Sequence, residues 1–280
     1  MTGRDYQFQP SPQGGFARFS PARPDAGPRL RGGPLYGALL CIAATFAFLM
    51  FRLDGQGFID HPLILALNQM AGRWPALDRA ALIVQEFNLP KGGLMFALAA
   101  AAFAMRHRVA TRSRLVLGCM AASAAAAASR TIQLFLPNIP RPLFDPALRF
   151  NLPIDGDRGA LHDWSSFPSD NAALLFGVAL AVWFANRRIG AIAFLVFAVA
   201  ALARVYGGLH YPTDMLGGAA LSAALVLASR SLDLGFLENH RQLVYRHRAL
   251  WAGLLFLFAF QAASLFDDLR AIATLVKPWI

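Results

Sequence analysis

Apolar residues along this chain gather in long blocks; they neither alternate nor recur on one helical face. Seven blocks, 35–51, 92–105, 115–136, 172–185, 189–206, 215–228 and 250–266, come near the roughly 20 residues that a membrane-crossing helix needs. The weakest is 92–105, where only small residues and Phe carry the span. Segment 52–91 mixes Leu, Ile and Phe with charges and holds Pro62, Pro75 and Pro90. It predicts one or two short helices lying at the interface, or a stretch at 63–71 that dips further into the bilayer. Residues 1–33 are rich in Pro, Gly and Arg without apolar periodicity. They predict a disordered basic tail, either free in the cytoplasm or touching anionic headgroups.

Composition agrees with a membrane chain. Of 280 residues, 56% are hydrophobic and 15% charged, against roughly 25% charged in a soluble domain. This excludes a secreted mini-protein, a disordered chain and a soluble enzyme with one globular core. Cys41 and Cys119 lie in apolar runs and make no disulfide framework. The net charge of +10 does not mark a nucleic-acid partner, because arginine concentrates in the joints of one membrane face. Arg106, Arg108, Arg112, Arg114, Arg187, Arg188 and Arg230 fall on the side of the N-terminal tail, which by the positive-inside bias is cytoplasmic. An odd number of spans then puts the C-terminus outside. The expected class is all-α, a polytopic membrane helical bundle. Its expected divisions are a tail at 1–33, a membrane domain at 34–231, and a linker, seventh helix and short C-terminal tail at 232–280.

With this topology, polar residues that are hard to explain as lipid contacts collect at one face, and ionisable groups at membrane depth are a functional hypothesis by default. Arg204-Val-Tyr-Gly-Gly-Leu-His210-Tyr-Pro-Thr-Asp214 joins two spans. A helical turn would place His210 and Asp214 side by side, and a carboxylate beside histidine orients the ring, fixes its tautomer and stabilises positive charge on it. An interfacial histidine with a helix-capping aspartate reads equally well from this segment. Phe167-Pro168-Ser169-Asp170-Asn171 precedes another span. Ser169 suits an N-cap, and the first helix amides form an anion site, although capping alone accounts for Ser169 and Asp170. Pro140-Arg141-Pro142 holds a guanidinium on a rigid turn; alone, this is a loop arginine.

Together these segments read RP, PS-x-x and AR-x5-H-x3-D, all at one face. The set resembles the type 2 phosphatidic acid phosphatase (PAP2) superfamily, whose pattern is K-x6-RP, then PSGH, then SR-x5-H-x3-D. The likeness covers roughly 130–214, and it implies a six-helix PAP2-like core, to which the seventh helix would be an addition. It further implies that Arg141, Ser169 and Arg204, with the amides of Asp170 and Asn171, bind a phosphoryl group. His210 would attack phosphorus to give a phosphohistidine, Asp214 would orient it, and water would complete hydrolysis. The family requires no metal, and the sequence offers neither a metal cluster nor a cofactor motif.

Three departures stand out. Ala203 replaces the family serine. Leu134 stands where the family lysine belongs, with Arg130 one helical turn earlier as either a substitute phosphate ligand or a snorkelling arginine, and Gln133 as a weaker substitute. Asn171 replaces the second-motif histidine that protonates the leaving group, and an amide cannot deliver that proton. His162 and Asp170 are candidate replacement acids. A missing acid matters least when the leaving group is itself a phosphate, which favours a polyprenyl diphosphate. The expected function is a membrane lipid phosphatase acting on a lipid phosphate or diphosphate at the outer, periplasmic face of a bacterial inner membrane. The partners are that substrate and bilayer lipid, and no oligomeric state follows. The alternatives are a catalytically silent lipid-binding or scaffold relative and a lipid phosphotransferase.

Overall fold

The computed structural model describes residues 32–53, 59–156 and 164–232, with Phe258, Ala259, Ala262 and Ser264. All of their regular structure is helical: α1 Gly32–Leu53, α2 Asp60–Asn68, α3 Pro75–Glu86, α4 Leu94–Ala104, α5 Val109–Phe135, α6 Asp170–Ala185, α7 Arg187–Tyr206 and α8 Pro212–Ser231. A π-helical turn, Leu89–Gly93, leads into α4, and a 3-10 turn, Pro142–Phe144, follows the Arg-Pro joint.

By length and composition, α1, α5 (from Ala110), α7 and α8 can each cross a membrane. The expected span at 92–105 is different in kind. It is the second limb of a pair, Pro75–Glu86 and Leu89–Ala104, bent by 73°. Pro90 sits in the π turn, where the missing N–H breaks the regular ladder, and Lys91 is buried there with its ammonium on the Gln85 carbonyl. The 16-residue α6 is shorter than a full span but is the most enclosed helix of the bundle. The segment between the first two spans forms α2 and α3, as the prolines suggested, and each buries a carboxylate, Asp60 and Asp78. The seventh block, 250–266, and almost all of the 1–33 tail lie outside the described residues. The first helix begins at Gly32, inside the segment read as tail.

The bundle closes on α6, which packs against α4, α5, α7 and α8. Small residues permit this: a Cβ on Gly118 would stand 2.7 Å from that of Ala181, and one on Gly177 2.6 Å from that of Ala122. Between apolar helices in lipid, such close approach supplies the dispersion contact that holds the bundle together. Helix α1 packs on α8 and turns Leu39, Leu40, Ile42 and Phe46 outward, as a lipid-facing helix would. The chain direction brings the C-terminal ends of α1, α5 and α7 and the N-terminal ends of α6 and α8 to one end of the bundle.

Candidate active site

That end holds the three motif segments. Tyr206, the last residue of α7, hydrogen-bonds Asp78 on α3. Gly208 then turns the chain at φ 71°, where a side chain would strike the Phe150 ring. His210 follows in the joint before α8 and is buried. Its Nδ1–H donates to the Ser166 carbonyl at 2.9 Å. A carbonyl can only accept, so the proton sits on Nδ1 and the lone pair of the neutral ring sits on Nε2. Nε2 lies 3.3 Å from Arg141 Nη1 and 3.4 Å from Ser169 Oγ.

Asp214 lies beside the ring, with Oδ2 3.7 Å from Nδ1. The tautomer is therefore held by a backbone carbonyl, and Asp214 adds charge rather than the hydrogen bond expected of it. The same carboxylate oxygen accepts the Tyr211 N–H at 2.8 Å and caps α8, so Asp214 is the helix cap and also lies beside the ring. The Asp214 carbonyl in turn accepts the Ser169 N–H at 3.1 Å, which ties the second motif to the third.

Ser169 caps α6, its Oγ accepting the Ala172 N–H at 3.3 Å. Asn171 departs from expectation. Its amide N–H goes to Asp170 Oδ1 at 2.8 Å, and its side-chain Nδ2 lies 3.3 Å from the same oxygen. The carboxylate thus occupies one of the amides assigned to phosphate. Gln133 and Ser129 both donate to the Pro168 carbonyl, at 2.6 and 2.8 Å, so α5 positions the second motif through its backbone.

Arg141 is 2% exposed. Its Nη1 donates to the Leu209 carbonyl at 2.6 Å, Nη2 to Ser165 at 3.2 Å and Nε to Trp164 at 3.2 Å. Burial, and then the charge of Arg204, lowers its pKa to about 10, which leaves it cationic at neutral pH. Arg204 is buried in the last turn of α7. Arg130 stands 3.4 Å over the Trp164 ring and donates to Gln133 at 2.9 Å. It packs on the loop that frames Arg141, and its charge also acts on that residue. His162 lies outside the described residues. Among the described residues, no group of three or more His, Cys, Asp and Glu is placed to hold a metal ion.

Burial depresses the His210 pKa from 6.5 to about 4, the nearby Arg141 and Arg204 charges adding to the effect and Asp214 opposing it. The ring is therefore neutral, with Nε2 unprotonated, at physiological pH. Unfolded, the same histidine takes up a proton near pH 6.5. Folding stability therefore falls as pH drops from about 6.5 toward 4 and is level above that window. At 1.36 kcal/mol per pKa unit the full effect is on the order of 3 kcal/mol. Melting temperatures of wild type and His210→Gln at pH 7.5 and 4.5 check this: the wild type should lose more stability on acidification than the variant.

A second shell of charge was missed from the sequence. Arg52, at the end of α1, sets Nη1 3.3 Å from Asp60 Oδ2 and Nε 3.4 Å from Asp214 Oδ1, and its guanidinium lies 3.8 Å over the Tyr211 ring. Asp60 accepts the Thr213 N–H at 3.1 Å and also the Thr213 hydroxyl. Tyr211 donates to Asp145 at 2.6 Å. Only the position of Arg52, a cation closing an otherwise apolar run, offered a signal. Removing this cation takes the nearest opposite charge away from two buried carboxylates. Arg52→Gln is expected to cost about 3–5 kcal/mol of stability, read by thermal unfolding in detergent. Adding Asp60→Asn should recover part of that loss.

No match was found among curated proteins. The crystal structure of Aquifex aeolicus LpxE aligns with 27% sequence identity over 61% of this chain and 94% of that one, with a TM-score of 0.45. The family model of the PAP2 superfamily matches residues 137–234, the stretch that carries Arg141, Ser169, Arg204, His210 and Asp214. Over that stretch, the chain resembles the PAP2 superfamily.

Proposed function

We propose that this protein is a multi-pass membrane lipid phosphatase that hydrolyses a lipid diphosphate, best a polyprenyl diphosphate, through a phosphohistidine at the outer membrane face. The match to the PAP2 family model supports a phosphatase-type hydrolase in general, and the long apolar helices support a multi-pass chain. The observation that carries the reading is the direction of His210: its Nδ1–H is held by Ser166, and Nε2 faces Arg141 and Ser169.

In this reading Nε2 attacks phosphorus and forms the N–P bond while the bond to the bridging oxygen breaks. Arg141, Arg204 and Ser169 stabilise the charge on the equatorial oxygens. Asp214 and the Ser166 carbonyl stabilise the ring as it becomes positive. From a diphosphate, the lipid monophosphate departs with the bridging electron pair. With a second pKa of about 6, it does not need the proton that Asn171 cannot supply. Water then attacks phosphorus, the P–N bond returns its electrons to Nε2, and inorganic phosphate leaves. A second reading, a silent phospholipid-binding relative, draws on Asn171 and on the carbonyl partners that already surround Arg141.

The test is phosphate release by the purified protein in detergent from polyprenyl diphosphate and from phosphatidate, with a quenched sample assayed for acid-labile, base-stable phosphate on the protein. Release from the diphosphate well above that from phosphatidate, with label on His210, is the expected result. Release from neither lipid would overturn the proposal in favour of the silent reading.

A further inference from the structure

Arg52 has no part in the proposed reaction, yet it joins the groups that support it. Helix α1 runs antiparallel to α8 and packs along it. Near the far end of the pair, a Cβ on Gly37 would lie 3.2 Å from Leu227 Cδ1. The last turn of α1 therefore meets the first turn of α8, which begins two residues after His210. Apolar α1 ends on a cation at the place where α8 begins with a carboxylate, Asp214. The Arg52 side chain is 7% exposed, and Asp60 and Asp214 are buried.

The Asp214 carboxylate is shared. Its Oδ2 accepts the Tyr211 N–H at 2.8 Å and lies 3.7 Å from His210 Nδ1. Its Oδ1 lies 3.4 Å from Arg52 Nε. Among the described residues, neither Oδ1 nor Nε makes a hydrogen bond, so charge is what joins them. Arg52 is held there from two more sides. Its Nη1 donates to Asp60 Oδ2 at 3.3 Å, and Asp60 is itself anchored to α8 by the Thr213 N–H at 3.1 Å. The guanidinium lies 3.8 Å over the ring of Tyr211, the residue next to His210. A flat cation stacked on an aromatic face and bonded to a carboxylate keeps a fixed place. One carboxylate thus stands between a permanent cation and a ring that is cationic only when protonated or phosphorylated.

We infer that Arg52 is a positioning residue that acts through Asp214: its charge occupies the carboxylate and so holds His210 as a neutral imidazole with Nε2 open to phosphorus. An unshared Asp214 would favour the protonated ring, as a carboxylate beside histidine does, and a proton on Nε2 ends its nucleophilicity. Among the described residues, the other cations acting on the ring are Arg141 from the 136–169 connection and Arg204 from α7, and both oppose its protonation. Ser169, at the start of α6, brings a neutral hydroxyl. Arg52 adds to that set from α1, with Asp60 on α2 drawing part of its charge. The nucleophilic role of His210 rests on the function proposed above; the coupling of Arg52 to the ring's proton rests on the geometry alone.

The test reads His210 itself. The full-length protein, isotope-labelled at the histidine nitrogens, is titrated in detergent and followed by NMR, the His210 signals being those lost in His210→Gln. The wild-type ring should titrate at about 4. Arg52→Gln should raise that midpoint by about one pH unit, the low end of what a neighbouring charge does. Arg52→Lys, which restores the charge without the planar fork, should titrate as wild type does. Arg52→Gln/Asp60→Asn removes the cation together with one of its carboxylates; it should show the same rise and keeps the measurement available where the single variant does not fold. Tyr211→Phe takes the Asp145 hydrogen bond from the same joint without removing a charge, and should leave the midpoint in place. An unmoved midpoint in the folded Arg52→Gln proteins would overturn the inference. So would an equal rise in Arg52→Lys or Tyr211→Phe, which would trace the effect to packing. Phosphate release is measured alongside. A midpoint that rises as expected in a protein that releases no phosphate would keep the coupling and remove the phosphatase reading.

Discussion

His210→Ala should lower phosphate release from a lipid diphosphate by about 10⁴- to 10⁶-fold, the range seen when a covalent nucleophile is removed. Charge stabilisation by Arg141 and Arg204 survives in such a variant, but no atom is left at the Nε2 position to accept phosphorus. The acid-labile protein phosphate should vanish with the activity. Because His210 also donates to Ser166, the comparison should include His210→Gln, whose amide can keep that bond, and a thermal unfolding trace for each. Activity retained in a folded His210→Gln would show that water attacks directly and would remove the phosphohistidine.

Asn171→His should act in the opposite sense. The side chain lies in the first turn of α6, buried, 3.3 Å from Asp170 Oδ1. An imidazolium there regains a transferable proton and has Asp170 to hold it. General-acid help is typically worth 10² to 10⁴ in rate. Phosphatidate hydrolysis, which expels a poor alkoxide, should rise by about that factor, while diphosphate hydrolysis changes much less. The ratio of the two rates is the measurement. An unchanged ratio would mean that Asn171 does not face the leaving group, and the argument from the missing acid to a diphosphate substrate would fall.

Candidate residues marked by identity and short spacing were legible in the sequence. His210 and Asp214, Ser169 at the start of α6 and Arg141 between two prolines all belong to local patterns, and the fold gathers them at one end. What was not legible depends on partners distant in the chain or on the backbone. Asp60 and Thr213 are 153 positions apart, and nothing in either segment names the other. The group that fixes the His210 tautomer is the carbonyl of Ser166, and a carbonyl carries no sequence signature. Hydropathy also could not show that 92–105 is one limb of a bent pair: it registers apolar content but is blind to the direction of the axis, which turns by 73° between Glu86 and Leu89.

Arg141 has a consequence for selection of the ligand. Its guanidinium is already solvated by the peptide oxygens of Trp164, Ser165 and Leu209, so an arriving molecule meets a competition for an occupied donor. An anionic acceptor adds Coulomb attraction to the hydrogen bond, which a neutral carbonyl cannot supply. Phosphoryl oxygens can therefore displace the carbonyls, whereas ester, hydroxyl and ether oxygens can only match them. In the proposed reaction the peptide cage would thus act as an admission threshold set by formal charge, sorting a crowded lipid surface before anything touches His210.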